Sequence, residues 1–278
     1  MIETRDSIPI GVQYPGPVRR VRFLSRPNRF LVRVSAPGTG PLEAHLPDPG
    51  RLGELLRPRR TWGHIVPAPS QGEPRRRTGW TLVNVGDPAR PKVLVGVDTR
   101  LANRMVQRMI EQGIVQAPAP GGTWIPEYPW KGSRIDFVWK RRPEDRTPHL
   151  LLEVKMANLR QGETALFPDA VTPRGTHHLE LLTEHRRQGH ASRLLWLASR
   201  EDVQTVRAHG GRDPDFARQW LRAQRAGVDM AAWRCRIGPA DVKLDREIGV
   251  GDPYLPEDAG LSGMSFEPRD RAGGPGFS

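Results

Sequence analysis

The sequence predicts a two-domain α+β protein, with a small β-barrel over residues 18–96 followed by a mixed sheet flanked by helices over residues 97–248. Three observations support this prediction. Short alternating segments fill the first region, a helical period begins near residue 98, and strand and helix patterns then take turns along the chain. A chain of 278 residues is long enough to form two modest hydrophobic cores.

The first region consists of short apolar segments that alternate with polar residues and are separated by Pro, Gly and Asn. Six such segments are VRRVRFL, RFLVRVSAP, PLEAHLP, TWGHIVPAP, GWTLVNV and KVLVGV. Short strands with few helical signals between them are typical of a closed or nearly closed barrel. Its size and arginine density fit an oligonucleotide-binding (OB) fold, although composition does not separate that fold from other small barrels.

The second region opens with a helical pattern that Asp98 or Thr99 would cap and that ends near Gly113. Two strand patterns follow, RIDFVWK and HLLLEVK. Thr172 and Asp213, each followed by proline, predict the starts of two further helices. Between and after those helices, SRLLWLAS and VDMAAWRCRI are predicted as strands. We expect an irregular arm over residues 1–17 and a disordered or loosely attached tail over residues 249–278.

Composition limits the compartment and the partners. The single cysteine, Cys235, excludes an intramolecular disulfide, and no apolar run approaches the length of a membrane span. We therefore expect a cytoplasmic protein. Residues 1–96 hold 16 Lys and Arg against 7 Asp and Glu, while the rest of the chain holds 27 against 24. A basic first domain favours a polyanionic partner such as DNA or RNA. A general bias toward arginine is the alternative explanation.

Three charged residues in apolar strands form the candidate catalytic centre. Glu153 and Lys155 are two apart in HLLLEVK, so both side chains project from one face of the strand. Asp136 stands between Ile135 and Phe137 in the preceding strand. If the two strands form a hairpin, Asp136 and Glu153 meet at one edge. An isolated Glu-x-Lys is common by chance, and a surface salt pair is its usual outcome.

Two carboxylates that converge suit a hard divalent cation such as Mg²⁺ or Mn²⁺. The carbonyl oxygen of Val154 is a further candidate ligand, and Glu127 is a candidate additional acid unless it is simply exposed in a proline-rich loop. Such a cation would activate water and neutralise charge on a phosphodiester, while Lys155 would orient or deprotonate the water or stabilise the transition state. This set predicts a metal-dependent nuclease centre.

A second polar cluster lies in FPDAVTPRGTHHLELL, around a predicted helix start. Asp169, Arg174 and His178 are candidates for phosphate binding, because free amides at a helix N-terminus and a guanidinium attract phosphate. Alternatively, Asp169 caps a turn, and His177 and His178 are ordinary residues of the helix face.

These segments, in this order, resemble the sugar fermentation stimulation protein family over roughly residues 18–237. The segments are RFLVRV, HLPDPGRLGELL, RRRTGWTLVNV, DTRLANRMV, SRIDFVW, LLEVKMANL and FPDAVTPRGTHHLELL, of which the last is the most specific. The resemblance implies an N-terminal OB-fold, a C-terminal domain similar to PD-(D/E)xK restriction-endonuclease-like nucleases, and DNA binding.

The resemblance extends to individual positions. It implies that Asp136, Glu153 and Lys155 form the nuclease centre, that Glu127 is an acid found just upstream, and that the polar residues of the last segment are a family signature. One position departs from the family pattern, because Asp48 stands where the family usually shows Asn in the segment that contains His45 and Gly50. This departure bears on any phosphate or base contact there.

Candidate nucleic-acid contacts lie in the barrel. The predicted contact residues are Arg29, His45, Arg51, Arg75, Arg76 and Arg77. Phe30, Trp62 and Trp80 would stack on bases or, alternatively, belong to the barrel core. The sequence thus predicts a metal-dependent nuclease acting on DNA or RNA. A sequence-tolerant, DNA-binding regulator of sugar metabolism genes without turnover, or an RNA-binding accessory factor, are the alternatives.

Overall fold

The computed structural model describes residues 10–68 and 78–255, which form a β-barrel and a larger mixed sheet with three helices. A first short strand, β1, joins the larger sheet. The barrel region then contributes six strands. In chain order, these first seven strands are β1 (Gly11–Gln13), β2 (Arg19–Asn28), β3 (Leu31–Ser35), β4 (Pro41–His45), β5 (Trp62–Pro67), β6 (Trp80–Asp87) and β7 (Arg90–Gly96).

The barrel closes because β4 pairs with two strands. It is antiparallel to β3 and parallel to β6, where Ala44 lies opposite Trp80. The closed ring is therefore β2-β3-β4-β6-β5, and β7 extends it from β6. Alternating residues such as Val32 and Val34 point inward and are fully buried, as the period of a half-buried strand requires. This confirms the predicted OB-like barrel and all six of its predicted strands.

The second domain is a mixed sheet flanked by helices, as predicted. Its elements are α1 (Arg100–Glu111), β8 (Thr123–Trp130), β9 (Ser133–Lys140), β10 (Leu150–Ala157), β11 (Leu159–Gln161), β12 (Thr164–Phe167), α2 (Pro173–Arg187), β13 (Ala191–Ala198), β14 (Thr205–Ala208), α3 (Pro214–Arg225), β15 (Asp229–Ile237) and β16 (Asp241–Val250). The strand order is β11-β12-β14-β16-β15-β13-β10-β9-β8, with β1 added on β16.

Strand β10 is an interior strand of this sheet, which explains its nearly continuous apolar sequence. It runs parallel to β13 and antiparallel to β9. Leu152 and Val154 belong to the core on the face that α1 and the barrel cover, whereas Leu151 belongs to the core on the face that α2 and α3 cover. A strand buried on both faces needs apolar residues at successive positions.

Two proline-initiated helices begin where the sequence predicts them. The Thr172 hydroxyl accepts a hydrogen bond from Gly175 N at 3.2 Å and caps α2. The Asp213 carboxylate accepts one from Phe216 N at 3.0 Å and caps α3. Because the other Asp213 oxygen accepts from Thr172 N at 2.8 Å, one buried carboxylate connects the starts of both helices.

Both segments predicted to be irregular, the N-terminal arm and the C-terminal tail, contain residues of strands. The irregular arm predicted for residues 1–17 includes β1, whose Val12 is buried against the sheet. The tail predicted from residue 249 begins inside β16, and Tyr254 still bridges to His209. Residues 1–9 and 256–278 lie outside the described part of the chain. No helix among the described residues is long and apolar enough to cross a membrane.

Buried polar contacts join the barrel to the sheet domain. Arg200, which is fully buried, donates to Asp87 of β6 at 2.6 Å and to the carbonyl oxygen of Asn158 at 3.0 Å. Gly96 and Ser199 exchange a further pair of hydrogen bonds across the same boundary. The two domains therefore share an interface of fixed geometry.

Candidate metal centre and cleft

Strands β9 and β10 bring Asp136 and Glu153 to one point. The two strands pair as far as Phe137 and Leu152 and then separate. Just beyond this last pair, the Asp136 carboxylate accepts a hydrogen bond from Val154 N at 2.8 Å. The predicted hairpin edge therefore forms, and both acids line the same cleft.

The Glu153 carboxylate is 2% exposed and uses its two oxygens differently. Lys155 Nζ and His178 Nδ1 both contact Oε1. Oε2 is buried and has no hydrogen-bond partner among the described residues. An unpaired carboxylate oxygen in a buried site is costly, so this position suits a cation.

His178 is a link between Glu153 and a surface arginine. Its Nε2 lies 3.5 Å from Nε of Arg174, which can only donate a proton. Nε2 must therefore accept, which leaves the proton of a neutral imidazole on Nδ1, facing Glu153. The two residues lie one helical turn apart on α2, whereas the neighbouring His177 is exposed.

Asn103 of α1 is a member of the site that the sequence interpretation missed. Its side-chain amide donates to Asp136 at 2.8 Å and to Glu127 at 3.2 Å. The available sequence signal was an Asn in a helix interior, where it is a weak helix former. Glu127 itself is exposed and has a positive φ of 52°, a conformation that is uncommon for a residue other than glycine. Asn103 thus connects Glu127 to the centre indirectly.

Burial and neighbouring charges shift the pKa values of Asp136 and Glu153 in opposite directions. Burial, with a contribution from the nearby charge of Glu153, raises the pKa of Asp136 to about 6. Burial alone would also raise the pKa of Glu153, but Lys155 and His178 together bring that pKa below its ordinary value. Glu153 is therefore a carboxylate near neutral pH. Asp136, in contrast, is the group whose charge would depend on whether a cation is bound.

The cleft above these acids has a volume of about 630 Å³ and belongs to both domains. The barrel contributes Arg29 and the segment 48–50, and the start of α1 contributes Arg100 and Asn103. The sheet domain contributes β10 and the loop that leads into α2, including Arg174. Carboxylates at the floor with arginines at the walls form a site for a cation and an anion together.

Asp48 and Asp169 fix the wall of the cleft. Asp169 accepts a hydrogen bond from Leu52 N at 2.5 Å, and Asp48 accepts one from the Asn158 amide at 2.6 Å. Both bonds cross from the barrel to the sheet domain. Burial raises the pKa of Asp48, and hydrogen bonds from Gly50 and Asn158 offset part of that effect. Asp169 therefore has a structural contact at this boundary through one oxygen, and its role in phosphate binding stays a prediction.

The predicted nucleic-acid contacts have different environments. Arg29 is exposed and lines the cleft, while Arg51 is exposed but does not line it. His45 stacks against Phe30, with ring centroids 6.3 Å apart. The predicted contacts Arg75, Arg76 and Arg77 fall outside the residues that the structure describes.

The oxygen ligands of this centre are few but fit a divalent ion. Across residues 10–68 and 78–255, no group of three or more His, Cys, Asp or Glu side chains is gathered to hold a metal. The centre offers two carboxylates, from Asp136 and Glu153, and the neighbouring main-chain carbonyl of Val154. Mg²⁺ is commonly bound by one or two carboxylates and keeps several waters, so this set fits such an ion.

The fold and site define a two-domain class of protein, an OB-type barrel joined to a mixed-sheet domain with paired carboxylates and a lysine at a strand edge. Two family models match the chain, the SfsA N-terminal OB domain over residues 24–97 and the sugar fermentation stimulation protein RE domain over residues 100–241. The chain belongs to the sugar fermentation stimulation protein family.

Similar proteins support the same assignment. A sugar fermentation stimulation protein homolog of Moorella thermoacetica is 35% identical, over 84% of this chain and 96% of its own. A homolog of Thioalkalivibrio sulfidiphilus is 34% identical, over 83% and 94%. The structure of Pyrococcus furiosus SfsA in complex with Ca²⁺ is similar at a TM-score of 0.75, with 24% identity over 88% of this chain and 100% of that one. This last similarity supports the fold.

Proposed function

We propose that this protein is a divalent-metal-dependent phosphodiesterase that acts on DNA or RNA. The observation that carries the proposal is the buried, unpartnered Oε2 of Glu153 at the floor of a cleft that also holds Asp136 and Lys155. Lys155 and His178 compensate only Oε1, and a buried carboxylate oxygen without a partner is costly, which favours a ligand at Oε2.

The metal would be held by Asp136, Glu153 and the carbonyl oxygen of Val154, with Mg²⁺ or Mn²⁺ as the proposed ion. When bound, such an ion polarises a phosphoryl oxygen and lowers the pKa of water. The Ca²⁺ complex of the Pyrococcus furiosus protein supports a divalent cation for this fold. The raised pKa of Asp136 also fits, because a bound cation would stabilise the charged carboxylate that burial and Glu153 disfavour.

The chain's own residues have separate tasks. Lys155, half-buried beside Glu153, supplies a positive charge next to the reacting phosphate and orients the attacking water. His178 holds the Glu153 carboxylate by one oxygen, and the other oxygen would be available to an ion. Arg29 and Arg174, which both line the cleft, would bind flanking phosphates.

The experiment is cleavage of end-labelled single- and double-stranded DNA and RNA by the wild type and by Glu153→Ala, with Mg²⁺, Mn²⁺ or EDTA. We expect metal-dependent cutting that the variant loses by at least a hundredfold, since each missing electrostatic contact to the transition state costs about that much. Glu163→Ala is the matched control, because Glu163 is an exposed acid of the same domain. Absence of cutting by the wild type under every condition would overturn the proposal.

The second candidate is a DNA-binding regulator without turnover. The observation that favours it is the charge distribution, because the net excess of 9 positive charges over residues 1–96 exceeds the excess of 3 in the rest of the chain. Retained DNA binding with no cleavage would support this candidate. For either function we propose a cytoplasmic location, since the single cysteine, Cys235, cannot form an intramolecular disulfide and is a buried free thiol.

A further inference from the structure

Phe30 is an exposed aromatic residue at a turn of the barrel. It follows β2 at the turn into β3 and is 48% exposed, more than the other large aromatic side chains with notable exposure in the described chain. The residue before it, Arg29, lines the cleft. A single exposed aromatic is ordinary on a protein surface, so its significance depends on how it is held and on its neighbours.

The ring is held in place. It stacks on His45, with a centroid distance of 6.3 Å and an interplanar angle of 28°. The main chain of Phe30 accepts a hydrogen bond from Leu46 N at 2.9 Å and donates one to the Asn28 side chain at 2.9 Å. The exposed face is therefore preorganised, which lowers the entropic cost of binding.

Arg26 fixes this turn to the wall of the cleft. Its guanidinium donates to the carbonyl oxygens of Arg29, Gly50 and Arg51, each at 2.7 Å. Gly50 lines the cleft beside Asp48. Phe30 and the wall of the cleft consequently form one rigid unit.

The other two aromatic candidates of the barrel are covered. The guanidinium of Arg20 lies 4.4 Å from the Trp62 ring centroid, and that of Arg19 lies 5.1 Å from the Trp80 centroid. Trp62 also packs so closely on Gly86 that a Cβ there would lie 2.5 Å from the ring. These contacts leave Phe30 as the barrel aromatic suited to stacking.

We propose that Phe30 is a stacking platform for an unpaired nucleobase, and that the substrate reaches the carboxylates as a single strand passing Arg29. This inference rests on the proposed function and specifies its substrate class. A free base offers its π-face to the ring while its phosphate meets the neighbouring guanidinium. In a duplex, by contrast, the faces of the bases are covered by their neighbours, so the platform has nothing to stack on except at frayed ends.

The test measures binding in EDTA, so that it does not depend on turnover. The probes are a fluorescein-labelled single-stranded DNA 12-mer, an abasic strand of the same length, and the blunt duplex of the 12-mer. The variants are Phe30→Leu, which keeps apolar volume but removes the ring, and Phe30→Trp, which keeps stacking. Tyr254→Leu is the control, because Tyr254 is an aromatic with 38% exposure that does not line the cleft.

We expect Phe30→Leu to weaken binding of the base-bearing single strand about tenfold and to leave the abasic strand and the duplex unchanged. Phe30→Trp should bind like the wild type, as should Tyr254→Leu. Equal weakening of the base-bearing and abasic strands, equal weakening of the duplex, or no effect would each overturn the proposal. A failure of the phosphodiesterase proposal appears instead as absent cleavage with these binding differences intact.

Discussion

The two oxygens of the buried Glu153 carboxylate have different environments. Two donors, Lys155 and His178, act on the same oxygen, so the second oxygen keeps its lone pairs. The asymmetry follows from the positions of the donors, one on the same strand and one on α2. Removing either donor should therefore change the charge balance at Oε1 of Glu153.

His178 is expected to act as a positioning residue. His178→Ala should lower Mn²⁺ affinity about 10- to 100-fold, because a residue that orients a metal ligand has an effect of that size. His178→Asn, which keeps a donor, should restore part of the loss. The measurement is Mn²⁺ titration by calorimetry, with His177→Ala, an exposed neighbour on the same helix, as the control. An unchanged affinity in His178→Ala would contradict this role.

Metal binding should weaken at acid pH because of Asp136. Its pKa is raised to about 6, so below that pH the carboxyl group holds a proton that must leave when a cation binds. Apparent Mn²⁺ affinity should be constant above about pH 7 and fall by up to about tenfold per pH unit below pH 6. Calorimetry at pH 5, 6 and 7.5 tests this, and a flat profile would contradict it.

At the scale of elements, the start of α2 depends on a residue of another helix. Asp213 caps α3 and also accepts from Thr172 N, whereas Thr172 caps α2 alone. Asp213→Ala should lower the free energy of unfolding by about 2–3 kcal/mol, because it leaves two amides unpaired, and Thr172→Ala by about 1 kcal/mol. Urea denaturation measures both, and equal losses would show that the connection between the helices is unimportant.

Elements with strong local signals could be predicted from sequence, and those defined by tertiary pairing could not. The barrel strands, the proline-initiated helices and β10 follow from alternation, caps and apolar runs. Strand β14 has only four residues, and β16 is polar enough to resemble a loop. Both are strands because neighbours pair with them. Likewise, Glu153 and Asp136 were predictable from charges in apolar strands, while Asn103 required the packing of α1.

At the scale of the whole molecule, the two domains should unfold together. Arg200→Leu leaves Asp87 and Asp202 without their buried partner and should cost about 3–5 kcal/mol. Arg193→Leu, which breaks a more exposed pair with Asp229, should cost less than about 1 kcal/mol. Differential scanning calorimetry should show one transition for the wild type. A small effect of Arg200→Leu would indicate that the domains are only weakly coupled.

The interface between the barrel and the sheet domain also explains why the cleft is lined by both a barrel arginine and the carboxylates of the sheet. Asp48 and Asp169 cross the boundary with short hydrogen bonds, so the barrel wall has a fixed distance from the centre. The proposed binding by the basic domain and the proposed chemistry in the sheet domain would therefore use one cleft. Family membership and fold agree with this arrangement. The central proposal, that the protein cleaves nucleic acid, requires a direct test.

The most direct measurement is the initial rate of cleavage of a single-stranded oligonucleotide against Mn²⁺ concentration, for the wild type and for Glu153→Gln. The substitution keeps the shape of the side chain and removes the charge that holds the ion. The account predicts saturable, Mn²⁺-dependent cleavage by the wild type and a rate at least a hundredfold lower in the variant. Equal rates in the two proteins, or no Mn²⁺ dependence in the wild type, would contradict it.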